Sequence, residues 1–265
     1  MDHISTPTQQ IPLRIAPERS DPDTAARLSA LFPPVSPEAP SPDLELQLNE
    51  DGLALHAGDQ MLRGDFLHML PRLKQSRLAG ELLVRAARIK NAPEPLTAID
   101  ATAGLGEDSL LLAATGFHVR LYERNPVIYE LLRDTLRRAS HAPELADIVA
   151  RMQLFQADSI QAMQQLNAPP DVILLDPMFP ARQKSALVKK KLQVIQKLEI
   201  PCMDEKELLL AAIQARPQKL VIKRPPKGPY LADVKPDYSL TGKAVRFDCI
   251  AAPHTKLKKY TMLMP

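Results

Sequence analysis

From residue 96 onward the chain alternates between short apolar segments and helical patterns, and this alternation constrains the fold more than any other feature. The predicted strands are Leu96–Ala101, His118–Glu123, Met152–Gln156, Asp171–Asp176 and Lys219–Lys223. Helical apolar spacing fills the intervals, most clearly after Asn125-Pro126, which is typical of a helix cap and first turn. Strands that alternate with helices form βαβ units, so the chain is predicted to be α/β with a mainly parallel sheet.

Two further patterns extend this prediction on either side. Asp237–Leu240 and Val245–Ala251 flank Thr241-Gly242-Lys243, and this arrangement predicts a C-terminal antiparallel hairpin that brings the sheet to seven strands. Before the first strand, Leu73–Lys90 has helical spacing and is predicted to be one helix.

The first part of the chain is rich in proline, which interrupts long regular elements. Short elements remain predictable there: a strand at Ile11–Ala16, a helix from Asp21-Pro22 to Leu31, and a hairpin around Asn49–Gly52. We therefore predict two domains, a small α+β appendage over residues 1–70 and a Rossmann-like domain over residues 71–265.

Composition narrows the functional classes. A net charge of +3 permits a nucleic-acid partner without arguing for one. Cys202 and Cys249 stand far apart with no CxxC pattern, so neither a disulfide scaffold nor a zinc site is expected. The polar start and the lack of an apolar run of about 20 residues predict neither a signal peptide nor a membrane partner. The predicted location is cytoplasmic.

A glycine loop follows the first predicted strand of the parallel sheet. Gly104 and Gly106 permit close approach of a ligand to the backbone, and Ser109 occupies the position of the third glycine in a GxGxxG pattern. Taken alone this is a weak signal, because tight strand–helix turns also use glycine for packing.

Acidic residues around this loop favour a cationic ligand. Asp100 ends the strand, where its carboxylate can receive a ligand ammonium directly or through water. Glu107 and Asp108 begin the next helix, where they would repel a pyrophosphate but tolerate a sulfonium. The loop therefore favours S-adenosylmethionine over a nicotinamide dinucleotide.

The next two strands also end in carboxylates. Glu123 lies 23 residues after Asp100 (123 − 100), a spacing typical of an acid that binds the ribose hydroxyls of an adenosine. Asp158-Ser159 follows the third strand, where it can contact an adenine ring or cap a helix. The sequence leaves both roles for this pair open.

The fourth strand runs into Asp176-Pro177-Met178-Phe179, which is predicted to be the reactive centre. Ligands of open α/β sheets bind beyond the carboxyl ends of the strands. Asp176 and the Pro177 carbonyl are suited to accept hydrogen bonds from an exocyclic amine, and the Phe179 ring is suited to stack on an extruded base. Direct displacement needs no metal and no covalent intermediate.

Basic residues cluster after this motif and at the end of the fifth strand. They are Arg182, Lys184, Lys189, Lys190, Lys191, Lys223 and Arg224. Such a cluster is often a solvated helix face, but its position beside Phe179 favours contacts with RNA phosphates.

Several of these stretches together resemble a known family. The motif at Asp176–Phe179 resembles the (Asp/Asn)-Pro-Pro-(Tyr/Phe) amino-methyltransferases, with Met178 in place of the second proline. The loop Asp100–Gly106, Glu123–Pro126, the run Gln183–Lys190 and the segment Val221–Pro225 resemble the ribosomal RNA small subunit methyltransferase J family.

That resemblance implies a class I methyltransferase fold and formation of N2-methylguanosine in 16S rRNA, with 16S rRNA or the small ribosomal subunit as partner. It also implies a donor site at Glu107-Asp108, Glu123-Arg124, Asp158-Ser159 and Asp176. The family tends to have a basic residue where this chain has Glu107.

Three rival interpretations remain at this point. The first is a nicotinamide-dependent oxidoreductase, which leaves Asp176–Phe179 unexplained. The second is an amino-methyltransferase for adenine N6 or a protein glutamine. The third is an rRNA-binding protein without catalysis.

Overall fold

A computed structural model of the protein describes residues 11–16, 21–36, 39–90, 94–177 and 205–256. These residues divide into two compact units, the first ending at Gly64 and the second beginning at Asp65. The sequence-based assignment of independent domains at 1–70 and 71–265 stays a prediction.

The N-terminal unit is a four-stranded sheet with one helix. Its elements are β1 (Leu13–Ile15), α1 (Pro22–Leu31), β2 (Leu44–Asn49), β3 (Gly52–Ala57) and β4 (Gln60–Leu62). β1 pairs parallel with β2, and the other pairs are antiparallel. The Asp21 carboxylate accepts from Thr24 N at 3.0 Å, so α1 begins as the sequence predicts. The three-residue β4 was not predicted.

The second unit contains a seven-stranded sheet in the order β10-β11-β9-β8-β5-β6-β7. Its strands are β5 (Thr97–Asp100), β6 (His118–Glu123), β7 (Met152–Gln156), β8 (Val172–Leu175), β9 (Lys219–Arg224), β10 (Tyr238–Thr241) and β11 (Arg246–Ala251). β5 to β9 are mutually parallel, whereas β10 and β11 form an antiparallel hairpin on β9. The predicted fold class is confirmed, including the hairpin.

Helices cover both faces of this sheet. They are α2 (Leu70–Leu73), α3 (Gln75–Leu78), α4 (Leu82–Ala87), α5 (Glu107–Ala114), α6 (Pro126–Ser140), α7 (Pro143–Val149), α8 (Ser159–Gln164) and α9 (Glu205–Gln214). α6 begins at the predicted cap, where the Asn125 side chain accepts from Val127 N at 2.9 Å. Among the described residues, no helix is long and apolar enough to cross a membrane.

The prediction of one helix over Leu73–Lys90 was wrong. The backbone is extended at Lys74 and Glu81, with ψ near 131° at both, so the segment divides into α2, α3 and α4. Gly80 lowers the helix propensity beside the second break, and Arg72 pairs with Glu81 at 2.8 Å across it. The apolar spacing concealed the breaks because Leu78 and Leu83 are buried in the same core cluster.

The topology of the sheet positions the site. The four residues of β8 are at most 1% exposed; Val172 and Leu174 pack in one core cluster and Ile173 and Leu175 in the other, as expected of a strand covered on both faces. The chain runs from β5 outward to β7 and then returns to β8 on the opposite side of β5. The order therefore reverses between β5 and β8, where open α/β sheets form their ligand crevice.

Candidate active site

Thr102 joins the ends of the two strands at this reversal point. Its N–H donates to Asp100 Oδ1 at 3.1 Å, and its hydroxyl accepts from Asp176 N at 2.7 Å. The end of β5 and the start of the predicted reactive motif are therefore held together by one short side chain. Thr102 was not predicted, since no spacing pattern distinguishes this threonine within the loop.

Asp100 is engaged by the protein itself. It is 2% exposed, and its Oδ2 accepts from Ser109 Oγ at 2.6 Å. Burial raises the pKa of Asp100 to about 6, although the hydrogen bonds from Ser109 and Thr102 oppose that rise. The residue at the third-glycine position thus has a definite role: it anchors α5 to the end of β5. The predicted contact of Asp100 with a ligand ammonium stays a prediction.

The two loop glycines differ in their surroundings. Both have positive φ, +53° at Gly104 and +77° at Gly106. A Cβ added at Gly106 would meet Leu132 Cδ1 at 2.7 Å and Phe66 Cζ at 3.2 Å, so packing requires this glycine. A Cβ at Gly104 would meet only Thr102 O, at 3.9 Å, among the described residues. Gly104 therefore borders open space at the predicted donor loop.

Glu123 lies against the glycine loop, as its predicted role requires. It is 6% exposed at the end of β6, its Oε2 accepts from Gly104 N at 3.1 Å, and its Oε1 accepts from Asn125 N at 2.8 Å. Each carboxylate oxygen can accept more than one hydrogen bond. Arg124, predicted with it, has an exposed side chain.

Asp158 caps a helix, which is one of the two roles left open for it. Its Oδ1 accepts from Ile160 N at 2.8 Å and Gln161 N at 3.2 Å, and Ser159 is the first residue of α8. The pair follows β7, whose carboxyl end lies on the same edge of the sheet as those of β8, β5 and β6. The order of strands thus aligns Asp176, Asp100, Glu123 and Asp158 along one edge.

Lys223 connects the donor loop to the reactive motif. Its Nζ lies 2.6 Å from Asp108 Oδ2 and 2.9 Å from Asp176 Oδ2. Burial lowers the pKa of Lys223, but the two carboxylates outweigh that effect and raise the pKa above its ordinary value. The lysine is therefore a fixed cation between them. Glu107, at the start of the same helix, has its Oε1 3.4 Å from His68 Nε2.

Opposing electrostatic effects act on the pKa of Asp176. Its side chain keeps 40% of its surface exposed. The enclosing protein raises the pKa of Asp176, Lys223 lowers it, and the negative charge of Asp108 raises it again, so that the pKa remains above its ordinary value. Pro177 follows directly and is buried.

The residues predicted to contact RNA occupy different environments in the structure. Arg224 is 1% exposed, and it donates from Nε to Pro229 O at 2.9 Å and from Nη1 to Glu205 Oε1 at 3.3 Å. Because it is buried and bonded within the protein, we no longer propose it as a phosphate contact. Lys223 lies in the site itself rather than on an outer face. The remaining predicted residues, Phe179, Arg182, Lys184, Lys189, Lys190 and Lys191, lie outside the described residues.

The arrangement fits a cationic ligand that carries an adenosine. Asp108, Glu123 and Asp176 place negative charge along the crevice, while Gly104 leaves room for close approach to the backbone. Across the described ranges, no group of three or more His, Cys, Asp or Glu side chains is placed to hold a metal ion.

Comparisons with known proteins agree with this geometry. A family model for SAM-dependent methyltransferases matches residues 35–252. The chain is similar to ribosomal RNA small subunit methyltransferase J of Nitrosococcus oceani, with 42% identity over 83% of this chain and 88% of the relative. The protein of the same name from Dechloromonas aromatica is 41% identical over 83% of this chain and 91% of its own.

A solved structure is also similar. The crystal structure of a SAM-dependent methyltransferase from Neisseria gonorrhoeae superimposes with a TM-score of 0.72 at 30% sequence identity. The match covers 91% of this chain and 96% of the other. The likeness therefore includes nearly the full length of both chains.

Proposed function

Because the chain belongs to the ribosomal RNA small subunit methyltransferase J family, we propose that it methylates the exocyclic N2 amine of a guanosine in 16S ribosomal RNA. Its methyl donor is S-adenosylmethionine, so the interpretation as a nicotinamide-dependent oxidoreductase is set aside. The observation that carries the proposal is the attachment of Asp176 to the donor loop through Thr102 and Lys223. The site of reaction proposed with this substrate is the cytoplasm.

Residues at the carboxyl ends of the parallel strands would bind the methyl donor. S-adenosylmethionine supplies a methyl group on a positively charged sulfur. In our proposal Gly104 allows close approach, Glu123 accepts from the ribose hydroxyls, and Asp108 contributes negative charge near the amino-acid end of the donor. Arg124 and Asp158-Ser159 complete the donor site, with Ser159 able to donate while Asp158 keeps its helix cap.

Asp176 and Pro177 would orient the acceptor amine. The lone pair of an exocyclic guanine amine is delocalised into the ring, which makes the nitrogen a poor nucleophile. Hydrogen bonds from its two N–H groups to the Asp176 carboxylate and the Pro177 carbonyl would turn that lone pair toward the methyl group. The same carboxylate would stabilise the positive charge that grows on nitrogen in the transition state.

Lys223 would act as a positioning residue for Asp176. It holds Oδ2, and within the described part of the chain no group donates to Oδ1, which leaves that oxygen for the amine. The Lys223 cation also stabilises the ionised form of Asp176, which burial and the negative charge of Asp108 disfavour. An ionised carboxylate is required because a protonated one has lost acceptor capacity. This role replaces the phosphate contact that the sequence analysis predicted for Lys223.

The substrate side of the site stays a proposal built on sequence. Phe179 would stack on the extruded guanine, and Arg182, Lys184 and Lys189–Lys191 would bind the neighbouring phosphates. The acceptor is proposed to be 16S rRNA, free or within the small subunit. The proposal is supported by the names of the relatives together with the placement of Asp176 at the crevice.

Methyl transfer by the wild type and Asp176→Ala tests this function. With labelled S-adenosylmethionine and unmodified 16S rRNA or small subunits, the wild type should label RNA. The variant should lose about 100-fold or more of the rate. S-adenosylhomocysteine should bind both proteins with similar affinity, which separates loss of catalysis from loss of the donor site. Labelling by Asp176→Ala at the wild-type rate would refute the assigned role.

A further inference from the structure

A run of exposed basic side chains lies outside the site described above. Lys74, Arg77, Arg85, Arg88 and Lys90 are all exposed, and we call them the basic strip. The chain as a whole has 34 Lys and Arg against 31 Asp and Glu, so such an imbalance is local. Between residues 70 and 90 the single acid is Glu81, and Arg72 already neutralises it through contacts of 2.8 Å to both oxygens.

The strip is held in place by packing, and its charges are unpaired among the described residues. Leu83, Ala86 and Ala87 of α4 are at most 2% exposed and belong to the core cluster. This docking directs Arg85 and Arg88 to the solvent side of the helix. In the described ranges, none of the five basic side chains makes an ion pair or a side-chain hydrogen bond. Exposed cations of this kind can attract an anionic partner.

One end of the strip lies beside the donor loop. Hydrogen bonds that Arg72 donates to Glu81 raise the pKa of Arg72, and the charges of Asp108 and Glu107 at the N-terminus of α5 raise it further. His68, just before α2, approaches Glu107 at 3.4 Å. The segment that leads into the strip therefore passes the N-terminus of α5, and Lys74 and Arg77 follow it along the chain.

The other end of the strip lies at the amino ends of the parallel strands. Lys219 Nζ, at the start of β9, donates to the carbonyl oxygens of Ala86 and Arg88. β9 ends at Lys223 and Arg224, so its length of about 17 Å separates this contact from the crevice, at ~3.3 Å for each residue step. The basic strip thus extends from the crevice across the protein.

We propose that the basic strip binds the phosphates of the RNA strand that flanks the target nucleotide. This inference rests on the proposed function, because it assumes that RNA enters the crevice. A spaced row of cations can contact the successive phosphates of an RNA backbone, which positions the strand without reading its bases. Insertion into a lipid surface is disfavoured, since the apolar residues of α4 are packed against the sheet.

The test compares two double variants with equal loss of charge. Arg85→Gln with Arg88→Gln removes two of the five charges of the strip, whereas Arg120→Gln with Arg133→Gln removes two exposed arginines on β6 and α6. Affinity for 16S rRNA is measured across a salt series. We expect the strip variant to reduce the slope of log K against log salt by about 1.4–1.8, because each of the two lost phosphate contacts contributes roughly 0.7–0.9. The control should keep the wild-type slope.

Activity adds a second measurement. For the strip variant, KM for RNA should rise roughly tenfold while kcat at saturating RNA and affinity for S-adenosylhomocysteine stay unchanged. An unchanged salt slope, or an equal decrease in the control, would overturn the proposal. Weaker binding to small subunits with undiminished binding to naked rRNA would overturn it in favour of a protein partner. If the wild type binds rRNA through the strip but methylates no RNA, the proposed function fails and the strip stands.

Discussion

Lys223 Nζ lies 2.9 Å from Asp176 Oδ2, which makes a lysine at the end of β9 the immediate partner of the carboxylate that follows β8. The same ammonium is 2.6 Å from Asp108 Oδ2 on α5. One cation therefore lies between the donor loop and the reactive motif. The charge of Arg224 on β9 also lowers the pKa of Asp176, and the charge of Asp176 raises the pKa of Asp100 on β5.

Opposite shifts of the pH profile are expected when Lys223 and Asp108 are changed in turn. Lys223→Met removes the charge that lowers the pKa of Asp176, so Asp176 stays protonated to higher pH and the acid limb of kcat moves upward. Asp108→Asn removes a charge that raises the pKa of Asp176, so the acid limb moves downward. Rates of methyl transfer at saturating donor and RNA, measured across pH, check both directions.

Lys223→Arg supplies the control because it retains the cation. It should recover part of the roughly tenfold loss in kcat that we expect for Lys223→Met near neutral pH. A purely structural role for Lys223 would lower kcat at every pH without moving the acid limb. Shifts of the same sign in Lys223→Met and Asp108→Asn would contradict the account.

Thr102 is expected to matter for catalysis through its hydroxyl. Thr102→Val keeps the shape of the side chain but cannot accept from Asp176 N, so the reactive motif loses its attachment to the loop. We expect kcat to fall about 10- to 100-fold, since small displacements of a catalytic group are costly. Thr102→Ser, which restores the acceptor, is the matched control. Equal kinetics for the valine and serine variants would show that the hydrogen bond is dispensable.

Substitutions at the two loop glycines should affect stability and donor binding to different extents. Gly106→Ala forces a Cβ within 2.7 Å of Leu132 Cδ1 at φ +77°, so we expect it to lower the free energy of unfolding by about 2–4 kcal/mol. Gly104→Ala meets no close protein atom in the described structure and should cost about 1 kcal/mol through its φ alone. It should nevertheless weaken donor binding. Urea unfolding and calorimetry with S-adenosylhomocysteine measure the two effects.

Asp100 predicts a pH-dependent contribution to stability. Its folded-state pKa of about 6 exceeds the ordinary aspartate value of 3.8, so the folded chain binds more protons between those values and loses stability as pH rises through them. Asp100→Asn keeps an acceptor for Thr102 N and does not titrate. Its stability relative to the wild type should therefore increase by up to about 3 kcal/mol between about pH 4 and about pH 7. A difference that is constant with pH in urea unfolding would argue against this.

The sequence predicted much of the fold because its signals were local and mutually consistent. Asn125-Pro126 begins α6 and Asp21-Pro22 begins α1 as predicted, since a cap and a first-turn proline act within a few residues. The strand ends that hold Asp100, Glu123 and Asp176 were also predictable, because their apolar runs end at carboxylates. The breaks in Leu73–Lys90 were not, because apolar periodicity continues through them.

Contacts between distant residues set the limit of prediction at the site. Lys223 is 115 positions from Asp108, and Thr102 is 74 positions from Asp176. Nothing in the local pattern of Lys223-Arg224 shows that the first residue enters the crevice while the second is buried beneath it. The order of strands in the sheet brings β9 beside β8, and the alternation of side chains along β9 then places these two residues on opposite faces.

Nucleoside analysis of the product tests the central claim most directly. Unmodified small subunits, free 16S rRNA and DNA are incubated in parallel with the wild-type enzyme and isotopically labelled S-adenosylmethionine, then digested to nucleosides for mass spectrometry. The account predicts labelled N2-methylguanosine from the ribosomal RNA substrates, absent with Asp176→Ala. Labelled N6-methyladenosine, or label in protein rather than RNA, would contradict it.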